Sequence, residues 1–165
     1  MSALDARNRL HEAQVLDLYA GTGALGIEAL SRGASTALFV DRNPSLLREI
    51  ERMGQKLESG DRLATIQADL TRKPQPSASR IAEVDPRFRP FSLIFMDPPY
   101  ADVAATKDLI PALRAHDLLA PDACLVLEHG QKTPPPQITG LAMIKQYRYG
   151  DSVIRLLVLE EQERE

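Results

Sequence analysis

Val15-Leu16-Asp17-Leu18-Tyr19-Ala20-Gly21-Thr22-Gly23-Ala24-Leu25-Gly26 is the stretch that decides the fold. Residues 15–19 are short, apolar and β-prone, the glycines break the run, and Ile27, Ala29 and Leu30 then suggest a helix closed by Gly33. The order is strand, tight glycine turn, helix. Residues 36–41 form a second strand, and Asn43-Pro44 after it pairs an N-capping side chain with a proline suited to a first helical position. Leu46, Ile50, Met53 and Leu57 recur at helical spacing, with Gly60 as the expected stop. Residues 63–68, 91–96 and 123–128 read as strands three to five. Leu109, Leu113 and Leu118 lie in a mostly helical stretch that Pro111 kinks or restarts. Strands alternating with helices predict an α/β fold whose parallel sheet carries helices on both faces. At the end of the chain, residues 141–149 and 153–160 are extended runs joined at Gly150-Asp151, which predicts an antiparallel hairpin at one sheet edge.

The 165 residues, 44% hydrophobic and 26% charged, fit one folded domain over 1–165 and exclude wholesale disorder. The single Cys124 cannot form an internal disulfide and reads as a small core residue. With no secretory pattern at the start, the expectation is a reduced, cytoplasmic protein, and no apolar run reaches the roughly 20 residues that cross a bilayer. The net charge of −3 gives no global pull toward polyanions, so nucleic-acid contact would need a local basic patch. One such patch is the segment 71–90, where five basic residues face two acidic ones and four of the twelve prolines fall. It reads as a solvated surface insertion with at most a short helix. Residues 160–165, with four Glu and one Arg, read as a frayed acidic tail. His11, His116 and His129 share no metal-ligand spacing with Cys124, so no metal is expected. Tyr147, Arg148 and Tyr149 read as hairpin packing rather than as a stacking surface, and nothing in the sequence asks for an obligate protein partner.

Gly21 to Gly26 match G-x-G-x-x-G between a strand and a helix, the context of a cofactor turn. A dinucleotide would put an anionic pyrophosphate there, which the carboxylate of Asp17 repels. S-adenosylmethionine brings an ammonium and a sulfonium, which it attracts. Asp41 ends the second strand, placed to accept from ribose hydroxyls, and Asp69 follows the third strand, placed for the exocyclic amine of adenine. Tyr19, Gly21, Gly23, Arg42 and Ala68 complete the expected cofactor-binding set. Taken singly, Asp17 is equally a satisfied strand-end carboxylate, and the glycines equally serve tight packing.

The fourth strand ends in Asp97-Pro98-Pro99-Tyr100. Two prolines hold the backbone extended and remove two N–H donors, so the turn presents carbonyl oxygens beside a carboxylate and an aromatic face. That arrangement suits an exocyclic amine of a nucleobase, whose N–H groups bond Asp97 and the Pro98 carbonyl while Tyr100 stacks on the ring.

The run from Gly23 to Gly33, together with Asp17, Asp69, Asp97 to Tyr100 and the late Tyr149-Gly150-Asp151, resembles the bacterial small-subunit ribosomal RNA guanine-N2 methyltransferases of the RsmD type. The resemblance covers residues 14–160. It implies a Rossmann-like class I methyltransferase fold with a mostly parallel seven-stranded sheet, S-adenosylmethionine as cofactor, a guanine in 16S rRNA or the small ribosomal subunit as substrate, and Asp97, Pro98, Pro99 and Tyr100 as the catalytic turn. DNA or RNA adenine-N6 methylation is the alternative that shares the tetrapeptide. The resemblance also implies a basic hairpin and helix ahead of the first strand. Residues 1–14 stand in their place with Arg7 and Arg9 as the only basic residues, and the expectation is that this RNA-binding segment is missing. A cofactor-binding module inactive without that segment is the further alternative.

Overall fold

The computed structural model describes residues 8–99, 106–135 and 137–160. Its strands are β1 (Gln14–Leu18), β2 (Thr36–Asp41), β3 (Leu63–Gln67), β4 (Phe91–Met96), β5 (Leu119–Gly130), β6 (Leu141–Tyr149) and β7 (Ser152–Leu159). They form one sheet in the order β3-β2-β1-β4-β5-β7-β6, with β1 to β5 parallel and β7 antiparallel to both neighbours. Helices α1 (Ala24–Ser31), α2 (Pro44–Lys56), α3 (Pro74–Ala82) and α4 (Leu109–Ala115) cover it. The α/β fold and the antiparallel edge hairpin are as the sequence predicts.

A strand turns successive side chains to opposite faces, and a parallel sheet must bury both. Val15, Phe39, Leu93 and Phe95 accordingly pack with Leu30 of α1 and Ile50 of α2 in one core. Leu16, Leu18, Leu38 and Ile94 pack with Ile81 of α3 and Leu113 of α4 in the other. The chain runs outward through β2 and β3 on one side of β1 and through β4 and β5 on the other. The crevice at this reversal, outside the C-terminal ends of β1 and β4, is where open α/β sheets bind ligands.

Five expectations are corrected. The segment 71–90 is not a solvated insertion: Pro74 starts α3, the crossover between β3 and β4, and Ser77, Ala78, Ile81 and Phe88 are buried. Pro74, Pro76 and Pro86 stand in the first turns of their helices, where a missing N–H costs nothing, and Pro90 leads into β4. In α2 the buried stripe is Leu47, Ile50 and Gly54, while Met53 and Leu57 are exposed. That helix ends at Lys56 with Glu58 at φ 53°, so Gly60 opens a short 3-10 turn instead of capping it. Strand β5 begins four residues earlier than 123 and absorbs the exposed Pro121 in a register shift against β4 between Phe91 and Leu93. Leu118 lies between α4 and β5, so the helix is shorter than its leucine spacing suggests.

Gly26 shows how closely α1 approaches the sheet. A Cβ there would stand 2.7 Å from Phe39 Cζ and 3.0 Å from Asp17 Oδ2. Gly26→Ala is therefore expected to destabilise the chain by about 1–3 kcal/mol through overpacking. Urea unfolding checks this as a lower midpoint at constant slope, and an unchanged midpoint would show that the Phe39 ring gives way.

Candidate functional site

The β1 exit turns through Tyr19 at φ 58°, Gly21 at φ 56° and Gly23 at φ 76°. Three left-handed residues in five fold the chain back so that the Gly21 N–H points at β2, where it donates to Asp41 Oδ2 at 2.9 Å. The other Asp41 oxygen accepts from Asn43 N at 2.8 Å, and Asn43 Oδ1 in turn caps α2 at Ser45 N. Asp41 thus ties the glycine turn to the start of α2 and keeps its remaining lone pairs toward the crevice.

Asp17 lies deeper. It is 3% exposed, and its Oδ2 accepts from Gly26 N at 3.0 Å at the start of α1. Burial pushes its carboxyl up to about 7, against the lowering effect of the Gly26 hydrogen bond, with the charges of Asp97 and Asp41 adding to the rise. Asp69 is the opposite case. Its Oδ1 accepts from the Thr71 hydroxyl at 2.6 Å and from Thr71 N, and its Oδ2 from Arg72 Nε at 3.0 Å. Those bonds, the Thr71 hydroxyl first, hold it below the usual carboxylate range. Asp97 stands exposed at the end of β4, with Pro98 buried behind it and Pro99 exposed. Partial burial and then the charge of Glu128 on β5 push its carboxyl up to about 6.

These groups surround a cavity of about 310 Å³. Of the residues expected to hold a cofactor, Tyr19, Gly21, Asp41, Arg42, Ala68 and Asp69 line it, and so do Asp97 and Pro99 of the expected catalytic turn. Asp17 and Gly23 are not on its wall. Gly23 serves packing, since a Cβ there would stand 2.7 Å from Ile50 Cγ1, and Asp17 is bonded to Gly26 N away from the wall. Tyr100 lies outside the described residues, as do Arg7 and residues 161–165. Arg9, the other basic residue of the N-terminal segment, is taken up by Asp122, with Nη1 2.7 Å from its carbonyl oxygen and 3.3 Å from Oδ2.

Four wall residues escape the sequence reading: Asn43, Leu46, Leu70 and Thr71. Asn43 and Leu70 adjoin the selected Arg42 and Asp69, Thr71 lies two residues past Asp69, and Leu46 stands in the first turn of α2. Leu46 and Leu70 make two walls apolar, so the cavity offers a greasy slot for a flat ring between carboxylates that attract positive charge and accept from hydroxyls. The slot opens directly onto Asp97, where a group presenting N–H donors would meet an acceptor.

The family model described as conserved hypothetical protein 95 matches residues 3–158. The Bacillus subtilis protein named putative rRNA methyltransferase YlbH is 34% identical over 136 residues, which span 82% of this chain and 70% of that protein. Ribosomal RNA small subunit methyltransferase D of Haemophilus influenzae is 26% identical over 129 residues, covering 76% of this chain and 61% of the relative. Among solved structures, the putative methyltransferase yhhF from Escherichia coli superposes with a TM-score of 0.79 at 23% identity, over 98% of this chain and 85% of that one. The fold is thus the Rossmann-like fold of the methyltransferases.

Proposed function

The chain belongs to the family described as conserved hypothetical protein 95, and from that premise we propose that it methylates ribosomal RNA with S-adenosylmethionine, at the exocyclic N2 amine of a small-subunit guanine. The observation that carries this reading is the acidic cavity at the glycine turn opening onto Asp97 and Pro99. Its donor and acceptor set fits the cofactor. Asp41 accepts from ribose hydroxyls, Leu46 and Leu70 flank the adenine, Asp69 takes its amine, and Asp17 lies behind the turn as a counter-charge for the cationic end. When bound, the cofactor supplies a methyl group made electrophilic by the sulfonium.

The residues of this chain do the rest by positioning and electrostatics. Asp97 and the Pro98 carbonyl accept the two amine N–H bonds, which turns the nitrogen lone pair out of conjugation with the ring. Tyr100 stacks on the base. As the N–C bond forms the nitrogen becomes cationic, and Asp97 is the base at hand for the proton it then loses. A guanine in folded RNA must swing out of its stack to reach this turn.

Incubating the chain with methyl-labelled donor and undermethylated small subunits, naked rRNA or DNA, then mapping the product, tests the reading. Label on the N2 of a small-subunit guanine is expected. Label on adenine would replace the substrate assignment, and calorimetric binding of NADH without binding of S-adenosylmethionine would overturn the cofactor.

A further inference from the structure

The end of β5 and the hairpin of β6 and β7 enclose a second concavity that the reaction above does not use. It measures about 390 Å³, and Lys132, Arg148, Arg155 and His129 line it. None of the described lining residues is acidic, in a chain whose net charge is −3. The register explains the convergence. Val153 on β7 pairs with His129 on one side and Arg148 on the other, and Arg155, two residues along, pairs with Gln146. Directly opposed residues share a face, as do residues two apart on a strand, so these side chains meet on one side of the hairpin.

Grouped cations repel one another unless negative charge lies among them. Yet neither Lys132, Arg148 nor Arg155 forms a salt bridge among the described residues. Arg155 Nε is a buried donor with no hydrogen-bond partner among those residues, a state that folded proteins seldom leave uncorrected. The three cationic side chains bring donors, and no carboxylate among the described lining residues accepts from them. It also opens at the working end of the sheet. Leu127 pairs with Met96, the residue before Asp97, and His129 is two residues further on. With strands about 4.8 Å apart, the cleft lies one to three strands from the catalytic turn, within the reach of a few nucleotides on either side of a bound base.

We propose that this cleft binds the sugar–phosphate backbone of the RNA beside the target nucleotide, with Lys132, Arg148 and Arg155 on its phosphates. Arginine forks suit phosphate oxygens bidentately, and lysine adds a mobile point charge. The inference rests on the RNA substrate proposed above. It gives that substrate a docking site on the far side of Asp97 from the cofactor cavity and independent of residues 1–14.

The test uses the whole chain, a fluorescent RNA hairpin with an unpaired loop guanine, and calorimetry with S-adenosylmethionine. Lys132 and Arg148 are exposed, so a Lys132→Gln/Arg148→Gln variant should keep its fold and its cofactor affinity. It is expected to bind the hairpin at least about tenfold more weakly, with a log-affinity against log-salt slope reduced by about 1.4 for two lost contacts. Arg48→Gln/Arg52→Gln removes the same charge from the exposed side of α2 and should leave RNA binding close to the parent. Equal losses in the two variants, or none in the cleft variant while the parent binds RNA, would overturn the inference alone. A parent chain that binds S-adenosylmethionine but no RNA would overturn the substrate reading with it. Inorganic phosphate, titrated at constant ionic strength, separates the sources. Saturable phosphate binding that leaves RNA affinity untouched would mark a free-anion site and also overturn the inference.

Discussion

Asp97→Ala lowers methyl transfer by about 10²- to 10⁴-fold, the range in which one positioned acid or base contributes, while cofactor affinity falls far less. The asymmetry follows from placement. Asp97 is one wall group among many in the cofactor cavity, but it is the carboxylate at the lip where an amine would enter. The same residue sets the pH dependence. Only ionised Asp97 can both hold the amine as a charged acceptor and take its proton, and its carboxyl is pushed up to about 6, so single-turnover rates should fall about tenfold per unit as the pH drops below about 6. Glu128 contributes to that rise after burial, and Glu128→Gln should move the limb to lower pH without removing it. Activity of Asp97→Ala within a few fold of the parent, or a rate that is flat from pH 5 to pH 8, contradicts the assigned role.

Where the fold was legible, one element carried its own punctuation. β1 is closed by glycines at positive φ, α2 is opened by the Asn43 cap and Pro44, and the edge hairpin turns at Gly150. Where it was not, the deciding information came from partners distant in sequence. Residues 71–90 look like a solvated loop by composition, yet Ala78 and Ile81 are core residues because β3 and β4 stand on opposite sides of β1 and a crossover must span them. The α2 stripe shifts from Leu46, Met53 and Leu57 to Leu47 and Gly54 because Leu46 faces the cavity and Leu63 packs against Gly54. The site divides in the same way. Asp41, Asp69 and Asp97 were placed at the crevice by the order of strands and turns alone, and all three line the cavity. Asp17 and Gly23 fit both readings until the packing around them was known. Asn43, Leu46, Leu70 and Thr71 have no distinctive chemistry, and only the shape of the crevice recruits them.

Asp17→Asn should stabilise the empty protein and weaken its cofactor binding together, which sets a functional carboxylate apart from a merely satisfied one. Its carboxyl is pushed from the ordinary 3.8 up to about 7, with burial the largest cause. A folded-state value above the unfolded one means that the folded chain holds the proton more tightly. The contribution is favourable below about 4 and is lost as pH rises through about 7, and a shift of this size corresponds to something on the order of 4 kcal/mol. Asparagine keeps an oxygen for the Gly26 N–H but carries no charge to desolvate. The stability difference between the variant and the parent should therefore be small near pH 4, grow through the interval to pH 7, and level off above it. Urea unfolding at several pH values measures it, and a difference independent of pH would mean that Asp17 does not titrate in this window. On the proposed function, the cationic end of the cofactor above the glycine turn offsets the cost of this charge. S-adenosylmethionine should accordingly bind more tightly as pH rises from about 6 to about 8 in the parent, as Asp17 ionises, and more weakly in the variant, with the smaller pH dependence that Asp97 alone supplies. If the variant gains stability and keeps the parent's affinity at pH 8, Asp17 supports the turn and nothing else, and the attraction for the cationic end of the ligand must come from Asp41 and Asp97.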